Sequence, residues 1–344
     1  TIDANLKEAY TPAGVYLEEF RNQVLSLSKS KLYYPVDPTS RNDALVGGTI
    51  SCNASGFIPG EQGATRYWVN EIEMLLPNGN LVKAKRGDYI SNKGIFILKN
   101  GNEEIIIPIP KYNRPKLKNA SGPYSDPKGT IDFVDLIVGS EGCFGMITEA
   151  QLSLKDKPKN YLDLFICLKS ETDALQFYNY ICKMNDINNF TAFEYFGYNC
   201  QNYMKHHDYF FQDKQDVGIY LQYPIYDKTL ESEIEYWFDL INDSPLDINL
   251  NNVISLNDAR NWDLFFEARH SMPTKALEKT KELDAISMIT DTIVPSDNFS
   301  LFLDYTHLLL KKNNIEYLLF GHLGDCHLHF HLIYNKDEQH VIDN

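Results

Sequence analysis

Four of the chain's nine histidines fall between positions 322 and 331, inside a run that reads GHLGDCHLHFHLIY over residues 321–334. Imidazole is the commonest side-chain ligand for a transition metal near neutral pH. His327, His329 and His331 alternate with Leu328, Phe330 and Leu332. In a strand, residues i, i+2 and i+4 point to one face, so three imidazoles share a face opposite an apolar one. His322 ends the preceding run, and a tight turn at Gly324 and Asp325 can bring His322 and His329 to one point. Two histidines leave positions for a carboxylate, a substrate and water, as a catalytic metal site requires.

A second chemistry is written in glycine. Residues 135–149 read DLIVGSEGCFGMITE, with glycines at 139, 142 and 145 between two apolar runs. The pattern predicts strand, glycine-rich loop, strand. The spacing G-x-x-G-x-x-G differs from the Rossmann G-x-G-x-x-G, so nicotinamide binding is not indicated. Residues 35–63 read PVDPTSRNDALVGGTISCNASGFIPGEQG. Dinucleotide phosphates need backbone N–H groups close by, and glycine permits that approach. Gly47, Gly48, Gly56, Gly142 and Gly145 are the candidates.

Three blocks stand here in order: P-x-D-P-x-S, then G-G-x-I-x-x-N-A-x-G, then G-S-E-G-x-x-G-x-I-T. Together they resemble the FAD-linked oxidases of the vanillyl-alcohol oxidase type. The branch in question includes glycolate oxidase and the D-lactate and D-2-hydroxyglutarate dehydrogenases. The resemblance implies an α+β chain, with a PCMH-type FAD-binding domain over residues 1–157 and a mixed α/β cap, the substrate domain, over 158–344. It implies FAD as cofactor, with Asp37, Pro38, Ser40, Ser51, Asn53 and Glu141 toward the flavin or its pyrophosphate and Ile147 toward the adenosine end.

Relatives read G-H-x-G-D-G-N-x-H in the histidine run, where both histidines hold a divalent metal beside the substrate. His322 and His329 match those positions, for zinc or manganese. Cys326 replaces the pattern's glycine and His327 its asparagine. Either could add a ligand, but the expected pair is His322 and His329 alone. In relatives a third ligand comes from the glutamate of an E-H-G segment, expected beyond residue 344. Arg269, in FFEAR, matches the arginine of W-x-x-R that grips the substrate carboxylate, with Phe266 in place of tryptophan. A guanidinium fork suits a carboxylate bidentately. Asp291 and Pro295 match a D-x-x-x-P strand. Ile289 stands where D-2-hydroxyglutarate dehydrogenases carry lysine, which argues against that substrate.

The expected function is FAD-dependent oxidation of a D-lactate- or glycolate-like 2-hydroxy acid to the 2-oxo acid, with the electron acceptor and the catalytic base open. Two alternatives stand: a non-catalytic flavin- or metal-binding subunit, and an FAD alcohol oxidase. The chain opens in mid-pattern, without the glycine-rich pyrophosphate loop found upstream in relatives, so a piece of a longer protein is expected. A homodimer or a subunit of a larger complex is the expected assembly.

Composition narrows the partners. A formal net charge of −15 disfavours nucleic acid and anionic membrane surfaces. No apolar run approaches the roughly 18 residues that a spanning helix needs. Six scattered cysteines form no C-x-x-C, which fits reduced thiols in a cytoplasmic protein.

The elements that must position these residues follow from periodicity. Apolar residues at 15, 17, 20, 24 and 27 predict a helix with Pro12 near its start. Residues 45–52 read as a short strand or turn. Residues 67–76 and 80–85 read as a hairpin on Pro77-Asn78-Gly79, and 94–98 with 104–109 as another around Asn100-Gly101. Residues 86–131 have the character of a surface insertion. Beyond Pro158, strands at 161–168, 217–223, 285–294 and 315–320 alternate with helices at 170–182, 228–241 and 298–311.

Overall fold

The computed structural model describes residues 1–100, 103–114, 117–120 and 122–338. The chain divides into two compact units, Thr1–Lys157 and Pro158–Asn344.

In the first unit, β1 (Ile2–Asp3) and β2 (Glu8–Pro12) lead into α1 (Leu17–Leu27). Leu17, Phe20 and Val24 form the buried stripe of α1, and Glu18 and Glu19 lie in its first turn, where the helix dipole favours acids. Pro12 ends a strand here rather than opening the helix. Next come β3 (Leu32–Tyr33), α2 (Val46–Ser51), α3 (Thr65–Trp68) and the hairpin β4 (Val69–Leu75) with β5 (Leu81–Lys85). Gly79 takes the positive φ of 87° that its turn requires. A ribbon of β6 (Ile95–Asn100) and β7 (Glu103–Pro108) follows, and the tip expected at Asn100-Gly101 falls partly outside the described residues. Then come α4 (Phe133–Ile137), β8 (Met146–Ser153) and β9 (Lys155–Asp156). Among the described residues, an antiparallel sheet runs β1-β2-β8-β4-β5.

Two expectations for this unit are corrected. Val46–Ser51 is a helix, although Gly47 and Gly48 suggested a strand or turn over 45–52. Burial of Val46, Gly47, Thr49 and Ile50 against the core outweighs weak helix propensity. The apolar run before Gly139 is also helical, not a strand. The Asp132 carboxylate caps it by accepting from the Val134 N–H at 2.8 Å.

The second unit opens with β10 (Asn160–Leu168) and α5 (Glu171–Met184). The Ser170 hydroxyl accepts from the Asp173 N–H at 3.1 Å and so caps this helix. β11 (Ala192–Phe196), α6 (His207–Phe210), β12 (Val217–Ile225), α7 (Leu230–Asn242), β13 (Val253–Ser255) and α8 (Ala259–Glu282) follow. β14 (Met288–Ile289), β15 (Thr292–Ile293), α9 (Ser296–Lys312), β16 (Glu316–His322) and β17 (His327–Ile333) complete it. The sheet order is β13-β10-β12-β11-β16-β17-β14, with β15 also on β17.

Phe177 and Ile181 of α5, Trp237 and Ile241 of α7, and Phe299 and Leu303 of α9 share one core with residues of the sheet. Phe265 of α8 packs against Phe165, Phe196, Phe210 and Tyr220, with ring centroids 4.7–6.0 Å apart. The single strand expected over 285–294 is broken in two. The Thr290 side chain takes a place in the ladder by accepting from the Phe330 N–H at 3.0 Å, which leaves Asp291 between the two short strands.

Candidate functional site

The histidine site is built on the β16–β17 hairpin. His322 lies opposite His327, and Phe320 opposite His329. A one-turn 3-10 segment, Leu323–Asp325, joins the strands and ends at Cys326 with φ 52°. Each of His322, His327 and His329 offers a nitrogen within 4.8 Å of those of the other two. His331 lies farther along the strand, buried, with Nε2 3.4 Å from the Ser287 hydroxyl. Sharing a strand face therefore does not bring His331 to the group. Cys326 is also excluded, because its thiol is buried in the core and 3.8 Å from the Tyr178 hydroxyl. Its replacement of glycine does not prevent the turn.

Each of the three rings has an oxygen acceptor on one nitrogen. His322 Nδ1 lies 2.5 Å from Glu194 Oε1, His327 Nε2 2.5 Å from Asp291 Oδ1, and His329 Nδ1 3.0 Å from the Thr290 carbonyl. Such contacts fix the tautomer and aim the opposite nitrogen. Burial, then the neighbouring imidazoles, hold His327 down at about 4. Burial lowers His329 as well. Both rings are thus neutral at pH 7, the form that ligates a metal.

Glu194 links this hairpin to Arg269. Its register on β11 places it directly across from His322. Arg269, one turn beyond Phe265 on α8, donates from Nη2 to Glu194 Oε2 at 3.0 Å. Glu194 is 1% exposed. Burial opposes its ionisation, but His322 and Arg269 together hold its carboxyl down at about 2. Sequence reasoning missed Glu194. Its one signal is a lone acid in the aromatic run AFEYF, since such a residue is rarely buried unless paired.

In the first unit the two glycine-rich runs meet. The Gly139 N–H donates to the Ile50 carbonyl at 3.0 Å and the Glu141 N–H to the Ser51 carbonyl at 2.9 Å. Arg66 ties the same corner from behind, donating to the carbonyls of Asp135 and Val138 and pairing with the Asp135 carboxylate at 3.2 Å. Pro38 is buried in the turn that exposes Ser40.

These residues fit a dinucleotide by several features. Asp37 Oδ1 is buried without a hydrogen-bond partner. Burial pushes the Asp37 carboxyl up against the pull of Arg21 and Arg41. A Cβ on Gly56 would fall 2.3 Å from that oxygen. Gly48 and Gly142, by contrast, have nothing within 4 Å of where a Cβ would stand. The cradle is thus closed behind Gly56 and open above Gly48 and Gly142.

Two of the expected contact residues have side chains that the protein itself holds. The Asn53 side chain is 1% exposed and committed to the protein, accepting from the Arg66 N–H at 2.8 Å and donating to the Asn119 carbonyl at 3.3 Å. It acts as a strut between segments. The Ile147 side chain belongs to the core, so contact with an adenosine would use its main chain. Lys118 is also structural, donating to the carbonyls of Gly56 and Ile58, both at 2.9 Å. Beside Asn53, a cavity of about 230 Å³ is lined by residues that include Arg66, Arg86, Lys118 and Tyr124.

A family model described as FAD binding domain matches residues 1–85, and one described as FAD linked oxidases, C-terminal domain, matches residues 205–343. The chain is 25% identical to D-lactate dehydrogenase of Anaerostipes hadrus over 343 residues, 95% of this chain and 60% of that protein. It is 23% identical to glycolate oxidase subunit GlcD of Bacillus subtilis over 352 residues, 99% of this chain and 63% of that one. A D-2-hydroxyglutarate dehydrogenase of Xanthomonas citri is 30% identical over 146 residues, 42% of this chain and 23% of that one. The chain thus spans less than two thirds of these relatives. Among solved structures, an alkyldihydroxyacetonephosphate synthase matches all of this chain and 59% of its own, with TM-score 0.64 and 15% identity.

Proposed function

Since the chain belongs to the FAD-linked oxidases, we propose that it is part of an enzyme that oxidises a D-lactate- or glycolate-like 2-hydroxy acid to the 2-oxo acid. The observation that carries this reading is the Glu194 bridge between Arg269 and His322. It sets a guanidinium, which suits a carboxylate, beside imidazoles that suit a metal.

The reaction removes the Cα hydrogen with its electron pair and the hydroxyl proton, leaving a carbonyl. When bound, FAD supplies the hydride acceptor and the metal a Lewis acid for the hydroxyl. The chain supplies position and charge. Arg269 receives the substrate carboxylate, and Glu194 holds that guanidinium and His322 in place. His322 and His329 would hold the metal, and the nitrogen of each ring left for it would be Nε2, since Nδ1 already faces an oxygen. In the first unit, Gly48 and Gly142 would let the cofactor approach the main chain, and Asp37 would accept from it, whereas Gly47 and Gly145 pack against Ala13 and Leu75. Ile289, half exposed beside the hairpin, places no cation there, which favours a substrate with one carboxylate over a diacid.

The test is the cofactor content of the intact protein. It should be yellow and release FAD on denaturation. A colourless protein that binds nicotinamide nucleotides instead contradicts the reading.

A further inference from the structure

We propose that His327 is a third protein ligand, so that one β-hairpin of this chain carries a three-histidine site that prefers zinc to manganese. This deepens the reading above, in which His322 and His329 hold the metal.

The argument begins with register. His322 faces His327 across the hairpin, and His329 is two residues further along the same strand face. The ring centroids lie 4.6 Å apart for His327 and His329, and 5.5 Å apart for each pair with His322. Zinc–nitrogen bonds of about 2.0–2.1 Å in a tetrahedral array put ligand nitrogens roughly 3.4 Å apart. One nitrogen of each ring lies within 4.8 Å of one nitrogen of the other two, so side-chain rotation would have to close the remaining gap.

The outer contacts give a second, independent indication. A metal-bound histidine nearly always donates its other N–H to a carboxylate or a carbonyl. His322 has Glu194, His329 has the Thr290 carbonyl, and His327 has Asp291. His327 is therefore supported in the same way as the two histidines already assigned. Its metal-facing nitrogen would be Nδ1, since Nε2 faces Asp291. Cys326, in the left-handed region with its thiol in the core, starts the strand at His327 and sets that residue's face.

The chemistry then follows from the donor. An asparagine at this position, as in the related pattern, could offer only an amide. An imidazole adds a nitrogen ligand, and nitrogen-rich sets favour zinc over manganese.

The experiment uses the 344-residue chain, stripped with a chelator and titrated with Zn²⁺ and Mn²⁺ against a chromophoric competitor. The variants are H327N, H322A and H331A, with thermal unfolding of each metal-free protein as a control. Wild type should bind one Zn²⁺. H327N should bind it more weakly, by on the order of 10- to 100-fold, with little change for Mn²⁺, and H331A should match wild type. Cobalt substitution should give visible bands in wild type that change in H327N. Should H327N fold poorly, cadmium NMR on wild type still decides, since coupling to three imidazoles supports the proposal and coupling to two overturns it. Zinc affinity and cobalt bands unchanged in H327N but weakened in H322A would overturn the proposal and leave the two-histidine reading standing. Zinc affinity unchanged in both variants would overturn the two-histidine reading as well.

Discussion

Nη2 of Arg269 lies 3.0 Å from Oε2 of Glu194, and the glutamate is almost wholly buried while the arginine keeps 19% of its side chain exposed. The buried carboxylate thus fixes the position of the guanidinium, a group whose fork suits an anion. Replacing Arg269 by alanine should reduce kcat/KM for the hydroxy acid by about 2–5 kcal/mol in transition-state binding, as when a buried charge loses its partner. FAD content should be unchanged. Equal turnover by variant and wild type removes Arg269 from the site.

The same pair makes a pH prediction. Glu194 has a folded pKa of about 2, below its ordinary 4.5. A lowered carboxylate contributes stability that is present above the ordinary value and lost as pH falls toward the folded one. Glu194→Gln should therefore lower the Tm most above pH 5, and the gap should close between pH 4.5 and 2. Acid unfolding curves of the two proteins check this. A gap that is constant across that range contradicts it.

Glycine substitutions separate cradle from scaffold. Gly145 has φ 150°, and a Cβ there would fall 2.3 Å from the Leu75 carbonyl, so Gly145→Ala should lower the Tm of the first unit. Gly48 sits inside a helix with open space where a Cβ would stand. Gly48→Ala should keep the Tm or raise stability by roughly 0.5–1 kcal/mol, yet weaken FAD binding. Unchanged FAD affinity in Gly48→Ala would show that the cofactor does not approach that helix.

Much of this was legible in the chain. Helices with clear apolar stripes, such as those over 17–27 and 171–184, announce themselves because their signals are local. Short apolar runs do not. The helix at Phe133–Ile137 was read as a strand because so short a run has no period to measure, and its carbonyls are caught by Arg66 from a distant segment. The alternation of histidines was equally plain, but which of them converge depends on the pairing of β16 with β17. Glu194 was out of reach for the same reason. Its partners lie far along the chain, on strand β16 and helix α8, and only sheet register and helix placement bring them together.

The central claim, oxidation of a 2-hydroxy acid by bound flavin, is met most directly by anaerobic mixing of the intact protein with D-lactate and with glycolate. The flavin's visible absorption is followed, and the 2-oxo acid is assayed. The account predicts that at least one of these substrates bleaches the flavin with stoichiometric 2-oxo acid formed, while an alcohol of similar size without a carboxylate does not. Absorption that persists with both hydroxy acids, or equal bleaching by the carboxylate-free alcohol, would contradict it.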